Sequence, residues 1–431
     1  MRAYARRLSS TLRYALLATA LLFEAWLLWP LPFGETDHIV LWQVGHTVLA
    51  GGSPYDPAVW RSAAALYDAP QLRDLASNGG IGVWPYPPWT GYLFVPFGAL
   101  PLEIGAWALH VSYVAVGLIA ASVLARLLPW RDGRARTVAL VLFAIFQPFV
   151  IAVRWGQFSS YLLAGIALVS LGIAANRITP FVAGAMLLAT KPHVTAVLGA
   201  LIVFQLVQTR RWRMLAIAAA ALCSVGAITW LRYPEWSGVA VTGAIDRLTV
   251  IARFASPVSV VMAVAGPLWL PVAALVIASC LAACALALRL APRSVRGHMT
   301  LAAGAVAGLL LTPYSFVYDH LILAPAGLIA IWAVDRARGR VDPRMHLGLI
   351  AGVAFAFGVA PWAAFLATQA QGTDALSGAI PIVFAVLLVG AAAVLRRAEP
   401  PDEVPATDGR HVSSPLAVAP PVSRGARRAD R

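Results

Sequence analysis

The sequence predicts an all-α polytopic membrane protein, and three observations carry that expectation. Of 431 residues, 60% are hydrophobic and 12% charged, against roughly 25% charged in soluble globular domains. Apolar runs that can approach a bilayer crossing recur about a dozen times, at about 12–30, 103–128, 137–153, 157–176, 178–190, 192–208, 212–231, 266–291, 298–313, 318–334, 345–367 and 377–395. The arginines gather at alternate connections between these runs.

The first run follows Arg6, Arg7 and Arg13, as a signal peptide would. Its Ala18–Ala20 small-residue site falls too early to follow a full apolar core, and apolar residues continue to Phe33, so an uncleaved first span is expected. With the N-terminus inside, the inner connections collect 21 positive residues and the outer ones 7, leaving aside the tail after residue 400. That asymmetry puts both termini in the cytoplasm of a multi-pass plasma-membrane protein.

The first outer connection, 31–102, is long and rich in Trp, Tyr and Pro, and it carries Glu35, Asp37, Asp56, Asp68 and Asp74. Within it, apolar residues from Ile39 to Leu49 suit an interfacial helix, followed by a Gly-Gly-Ser-Pro turn. A second outer loop is expected over 232–265 and a short third one over 312–320. Residues 1–397 read as one membrane domain and 398–431 as a disordered cytoplasmic tail, Pro-, Ser- and charge-rich.

The net charge of +14 belongs to loops and tails facing anionic lipid and does not argue for nucleic acid. Arginine almost without lysine also fits high-GC coding bias. Cys223, Cys280 and Cys284 lie in apolar runs and suggest neither disulfides nor a metal site. No phosphate-binding glycine loop appears, which argues against ATP-driven transport, and no internal repeat is visible.

Lys191, the only lysine, sits in LLATKPHVTAVL. A lone cation inside a membrane segment costs about 2.5–3.5 kcal/mol on insertion scales. It either snorkels to a nearby interface or meets something anionic. Asp37, just beyond the first span, reads either as the N-cap of the following helix or as a partly desolvated general base. Trp155 and Gln157 (beside Arg154), His193, Asp319 and His320 fall at the same side of the membrane, as does Arg253. Cations there can neutralise a phosphate while a carboxylate deprotonates a hydroxyl. The ordinary alternatives are that Gln157 bridges helices, His320 is a structural histidine, Tyr86 and Trp89 anchor the interface, and His46 is surface-exposed. Glu24 has no assigned role.

Asp37, AGGSPYDP with Tyr55, YPPWTGYLFVPFGALP with Tyr86, WGQFSSYLLAGIAL, ATKPHV and LTPYSFVYDHLIL come in an order that resembles the polyprenol-phosphomannose-dependent mannosyltransferases over about residues 12–395. The resemblance implies a GT-C fold and an inverting glycosyltransferase acting on the extracytoplasmic face. It implies Asp37 as the base for the acceptor hydroxyl, Lys191 and His320 near the donor phosphate, and Gln157 at the sugar. The residues themselves add Arg253 as a donor-phosphate candidate and Trp155, Tyr86, Tyr55, Asp319 and His193 as substrate-binding candidates. The partners would be a polyprenyl phosphate sugar, most simply mannose, and a glycolipid or glycan acceptor. No cofactor and no metal ion is expected, because the leaving phosphate is already an anion. Ser159 stands where that family commonly has asparagine. A transporter or flippase, and another lipid-linked glycan enzyme such as an arabinofuranosyltransferase or O-antigen ligase, are the competing readings.

Overall fold

The computed structural model describes residues 29, 32–66, 84–249, 251–369 and 373–398, all in helices, turns and short connections. The expected first span and the tail lie outside the described residues. So do Glu24, Asp68 and Asp74.

The other eleven expected spans all appear as helical segments. Seven are singly long and apolar enough to cross a membrane, and an eighth is a bent pair. Three are shorter, Ser159–Ala175, Ile178–Leu188 and Pro192–Gln208. At about 1.5 Å per residue these three are too short to cross upright; Ser159–Ala175 packs against Ile178–Leu188, and Pro192–Gln208 packs chiefly against Arg296–Leu311.

Two expectations need correction. The single run 137–153 is two helices, Gly133–Ala144 and Gln147–Arg154, bent by 46°. Pro148 in the first turn of the second helix lacks an N–H, and Phe146 before it is extended (φ −64°, ψ 117°), so the chain restarts instead of continuing. The stretch 232–265 is not a loop either. Trp236–Thr249 and Pro257–Ala265 are helices, and the latter runs into Trp269–Leu290 through a break at Gly266 (φ 53°).

Helix starts follow local chemistry. Ser256, Asp132 and Asp342 accept hydrogen bonds from backbone N–H groups two or three residues on. Asn176, in the left-handed region, closes Ser159–Ala175. The segment Val317–Ala337, a 3₁₀ turn running into an α-helix, is almost wholly buried and forms the centre of the packing.

The expected interfacial helix exists as His38–Leu49, but it is seated in protein. Ile39, Val40, Leu41, Val44 and Val48 are buried, while His46 and Leu49 are exposed. It crosses Val95–Gly98 at backbone contact: a Cβ on Gly45 would fall on the Phe94 carbonyl, and one on Gly98 on the His46 amide. This crossing fixes where the N-terminal end of His38–Leu49, and hence Asp37, sits.

Gly45→Ala therefore forces the two segments apart. Overpacking of this kind costs about 1–3 kcal/mol, so the detergent-solubilised variant should unfold at a lower temperature; an unchanged Tm would contradict the tight crossing.

Candidate functional site

Asp37 occupies the N-cap position of His38–Leu49, yet its side chain makes no capping hydrogen bond. Its Oδ2 accepts from the Gln157 Nε2–H instead. The turn Trp155–Gly156–Gln157, where helix Gln147–Arg154 ends, holds the acid at three points. The Asp37 N–H donates to the Trp155 carbonyl (3.0 Å), and Gly156 lies against His38. Gln157 reaches the carboxylate. Gly156 has φ 75°, and a Cβ there would strike the His38 backbone and ring, so glycine is required on both counts.

Burial pushes the Asp37 carboxyl up to about 6, against the opposing pull of the Gln157 hydrogen bond and the Lys191 charge. The adjacent His38 ring is pushed down to about 3 by burial and by His110, so it adds no positive charge beside the acid near neutral pH. Its Nδ1 lies 2.8 Å from the Thr36 hydroxyl.

Lys191 does not snorkel. It is 1% exposed, and its Nζ donates to Asp319 Oδ1 at 2.8 Å. Three rings surround the ammonium, with centroids at 4.6 Å (Phe158), 4.8 Å (Tyr318) and 5.4 Å (Tyr86). The anion that a lone buried lysine calls for is thus supplied by the chain. Asp319 is fixed further by the Ser159 hydroxyl (3.3 Å) and the Phe316 N–H (3.1 Å). Pro192 at the first helical position sets Lys191 at the start of Pro192–Gln208, where its carbonyl accepts from the Thr195 hydroxyl.

The acid and the ion pair form one assembly, joined by three consecutive residues. Gln157 bonds Asp37, Phe158 packs over Lys191, and Ser159 bonds Asp319. His320 is fully buried beside Asp319. Its Nε2 lies 3.0 Å from the Ala255 carbonyl, and because a carbonyl only accepts, Nε2 carries the proton and Nδ1 is the acceptor. Among the described residues no group pairs with that Nδ1.

The remaining residues singled out in the sequence stand further out. The Arg253 side chain is exposed, two residues from Ala255. His193 stacks on Tyr314 (4.8 Å) and accepts the Thr312 hydroxyl on its carbonyl. The Tyr55 hydroxyl is used on the Tyr86 carbonyl (2.7 Å), and the Trp155 ring packs against Phe365, so these two side chains brace the site.

Sequence reasoning missed Tyr318 and Asp374. Tyr318 was legible only as one aromatic in YSFVYDH. Asp374 follows Gly372-Thr373 and reads as an ordinary helix cap. It is in fact a buried carboxyl, pushed up to about 6 chiefly by burial and facing Asp319. Among the described residues, no three His, Cys, Asp or Glu side chains group as metal ligands.

A model of glycosyltransferase family 87 matches residues 84–313, more than half of the chain. That stretch carries Tyr86, Gln157, Ser159, Lys191 and Arg253; Asp37, Asp319 and His320 flank it. No curated protein and no solved structure matches the chain.

Removing one partner of a buried pair leaves an uncompensated charge, at a cost of about 3–5 kcal/mol. Lys191→Met should therefore lower the thermal stability of the purified protein sharply, and Lys191→Met with Asp319→Leu should regain most of it. Equal losses in both variants would contradict the pair as described.

Proposed function

The chain belongs to glycosyltransferase family 87, and from that premise we propose that it transfers a sugar, most simply mannose, from a polyprenyl phosphate donor to a hydroxyl of a glycolipid or glycan acceptor, with inversion. The observation that carries the reading is Asp37, a carboxylate that forgoes capping its own helix and stands half-buried against Gln157, with desolvation holding its proton affinity near neutral pH. A general base works best when its pKa lies close to the working pH.

In this reading, the acceptor hydroxyl gives its proton to Asp37 as its oxygen attacks the anomeric carbon. The bond from that carbon to the phosphate oxygen breaks on the opposite face, and polyprenyl phosphate leaves as an anion. One displacement inverts the stereochemistry, as when a base activates an incoming oxygen in inverting sugar chemistry. Gln157 holds the base in orientation.

The donor phosphate meets Arg253 first, since that side chain is exposed and its backbone carbonyl accepts from the Asp374 N–H. It then approaches Lys191, whose ammonium has three N–H donors and uses one on Asp319 and another on the Tyr86 side chain. His320 and Asp319 sit beneath, with Tyr86 and Phe158 walling the lysine. The arginine-rich helix ends, at 126–136, 210–213, 289–296 and 336–344, lie at connections alternate to those of the site. Reading them as cytoplasmic puts the reaction on the extracytoplasmic face of the plasma membrane, where the donor arrives laterally from the bilayer.

The test is sugar transfer in proteoliposomes from polyprenyl phosphomannose, with polyprenyl phosphoarabinose in parallel. Asp37→Asn should retain donor binding and lose transfer by about 10²-fold or more. Because burial raises the acid, the wild-type rate should fall as pH drops through about 6, where Asp37 takes up a proton. A transfer rate for Asp37→Asn equal to wild type, or an acid limb near pH 4, removes Asp37 from the chemistry.

A further inference from the structure

Asp374 shares an unusual combination of features with Asp37. It occupies the N-cap position of a 3₁₀ turn, Ala375–Ala379, and does not cap it with its side chain. It is buried, and no cation pairs with it among the described residues. Aspartate at an N-cap ordinarily uses its carboxylate on the helix. Here the carboxylate turns to the Val317 backbone and lies within electrostatic reach of Asp319 and Tyr318.

Near it stand two polar groups without partners among the described residues. Ser377 is fully buried and its Oγ has no hydrogen-bond partner among the described residues. His320 is fully buried with Nδ1 free to accept. Both abut the same short segment. His320 Nε2 donates to Ala255, and Gly378, next to Ser377, lies against Ser256 so closely that a Cβ would strike the Ser256 carbonyl. The Asp374 N–H donates to the Arg253 carbonyl (3.0 Å), which ties the turn to the same strand of chain. Each unpaired buried polar group is destabilising unless something else satisfies it. A carboxylate, an imidazole acceptor and a hydroxyl together suit a ligand rich in hydroxyl groups.

We propose that Asp374, Ser377 and the Nδ1 of His320 form a subsite that binds ring hydroxyls of the donor sugar, with the sugar hydroxyls donating to Asp374 and to His320 and pairing with Ser377. The subsite rests on the glycosyltransferase reading above and adds to it the group that selects the sugar. Asp374 and Ser377 bind and do not react: no bond to the anomeric carbon involves them.

The test uses the full chain in proteoliposomes with whichever of polyprenyl phosphomannose or phosphoarabinose the wild type accepts, and with monodeoxy analogues of that donor. Asp374→Asn and Ser377→Ala should each raise the donor KM, Asp374→Asn by about tenfold or more, with kcat falling less than threefold. At least one deoxy donor should be used equally well by wild type and Asp374→Asn, because the hydroxyl that the carboxylate holds is already missing. Should Asp374→Asn fail to fold, Ser377→Ala, which removes a single atom, decides. Donor KM and deoxy-donor discrimination within twofold of wild type would overturn the subsite while leaving the reaction standing. A wild type that transfers from neither donor overturns the reaction, and the subsite with it.

Discussion

The ammonium of the only lysine and the carboxylate of Asp319 face each other at 2.8 Å with both side chains 1% exposed. Taking two charges out of water is costly, and their attraction offsets that cost only with good geometry and further hydrogen bonds. Here the aromatic rings of Phe158, Tyr318 and Tyr86 surround the cation, and Ser159 and the Phe316 N–H complete the anion. These partners come from four separate stretches of the chain, so satisfying the pair gathers them at one place. The three-residue stretch Gln157–Phe158–Ser159 then carries the constraint to Asp37, on a fifth.

The consequence for chemistry is a division of labour among carboxylates that the environment sets. Asp319 is paired with its lysine and satisfied by N–H and O–H donors, and it serves as a fixed counter-charge. Among the described residues Asp37 has Gln157 as its close donor, and at this half-buried place desolvation prevails and its proton affinity approaches neutrality. Two carboxylates a short distance apart thus differ in role because one has a paired cation and the other an amide.

Much of this was legible in the sequence, and the illegible parts have physical reasons. The helical segments and their order followed from apolar run length, and Lys191, Asp37 and Gln157, which the fold brings into one assembly, stood out as charge or amide groups at the ends of apolar runs. The break at Pro148 was written in the proline but hidden by unbroken hydrophobicity on both sides. The partner of Lys191 could not be read, because Asp319 lies 128 residues away and nothing local links the two. Residues 232–265 looked like a loop because Pro, Gly and charge interrupt them, though Pro257–Ala265 is packed as a helix against Trp269–Leu290 and Ala375–Ala379. Asp374 was invisible because an aspartate before a turn is the commonest of caps, and only its neglect of that duty marks it.

The most direct test of the account is an experimental structure of the protein in lipid with a non-transferable polyprenyl phosphate sugar bound. The account predicts the phosphate against Lys191 and Arg253, with the anomeric carbon facing Asp37. A phosphate bound at the opposite helix ends, among the arginines of 289–296 and 336–344, would contradict it.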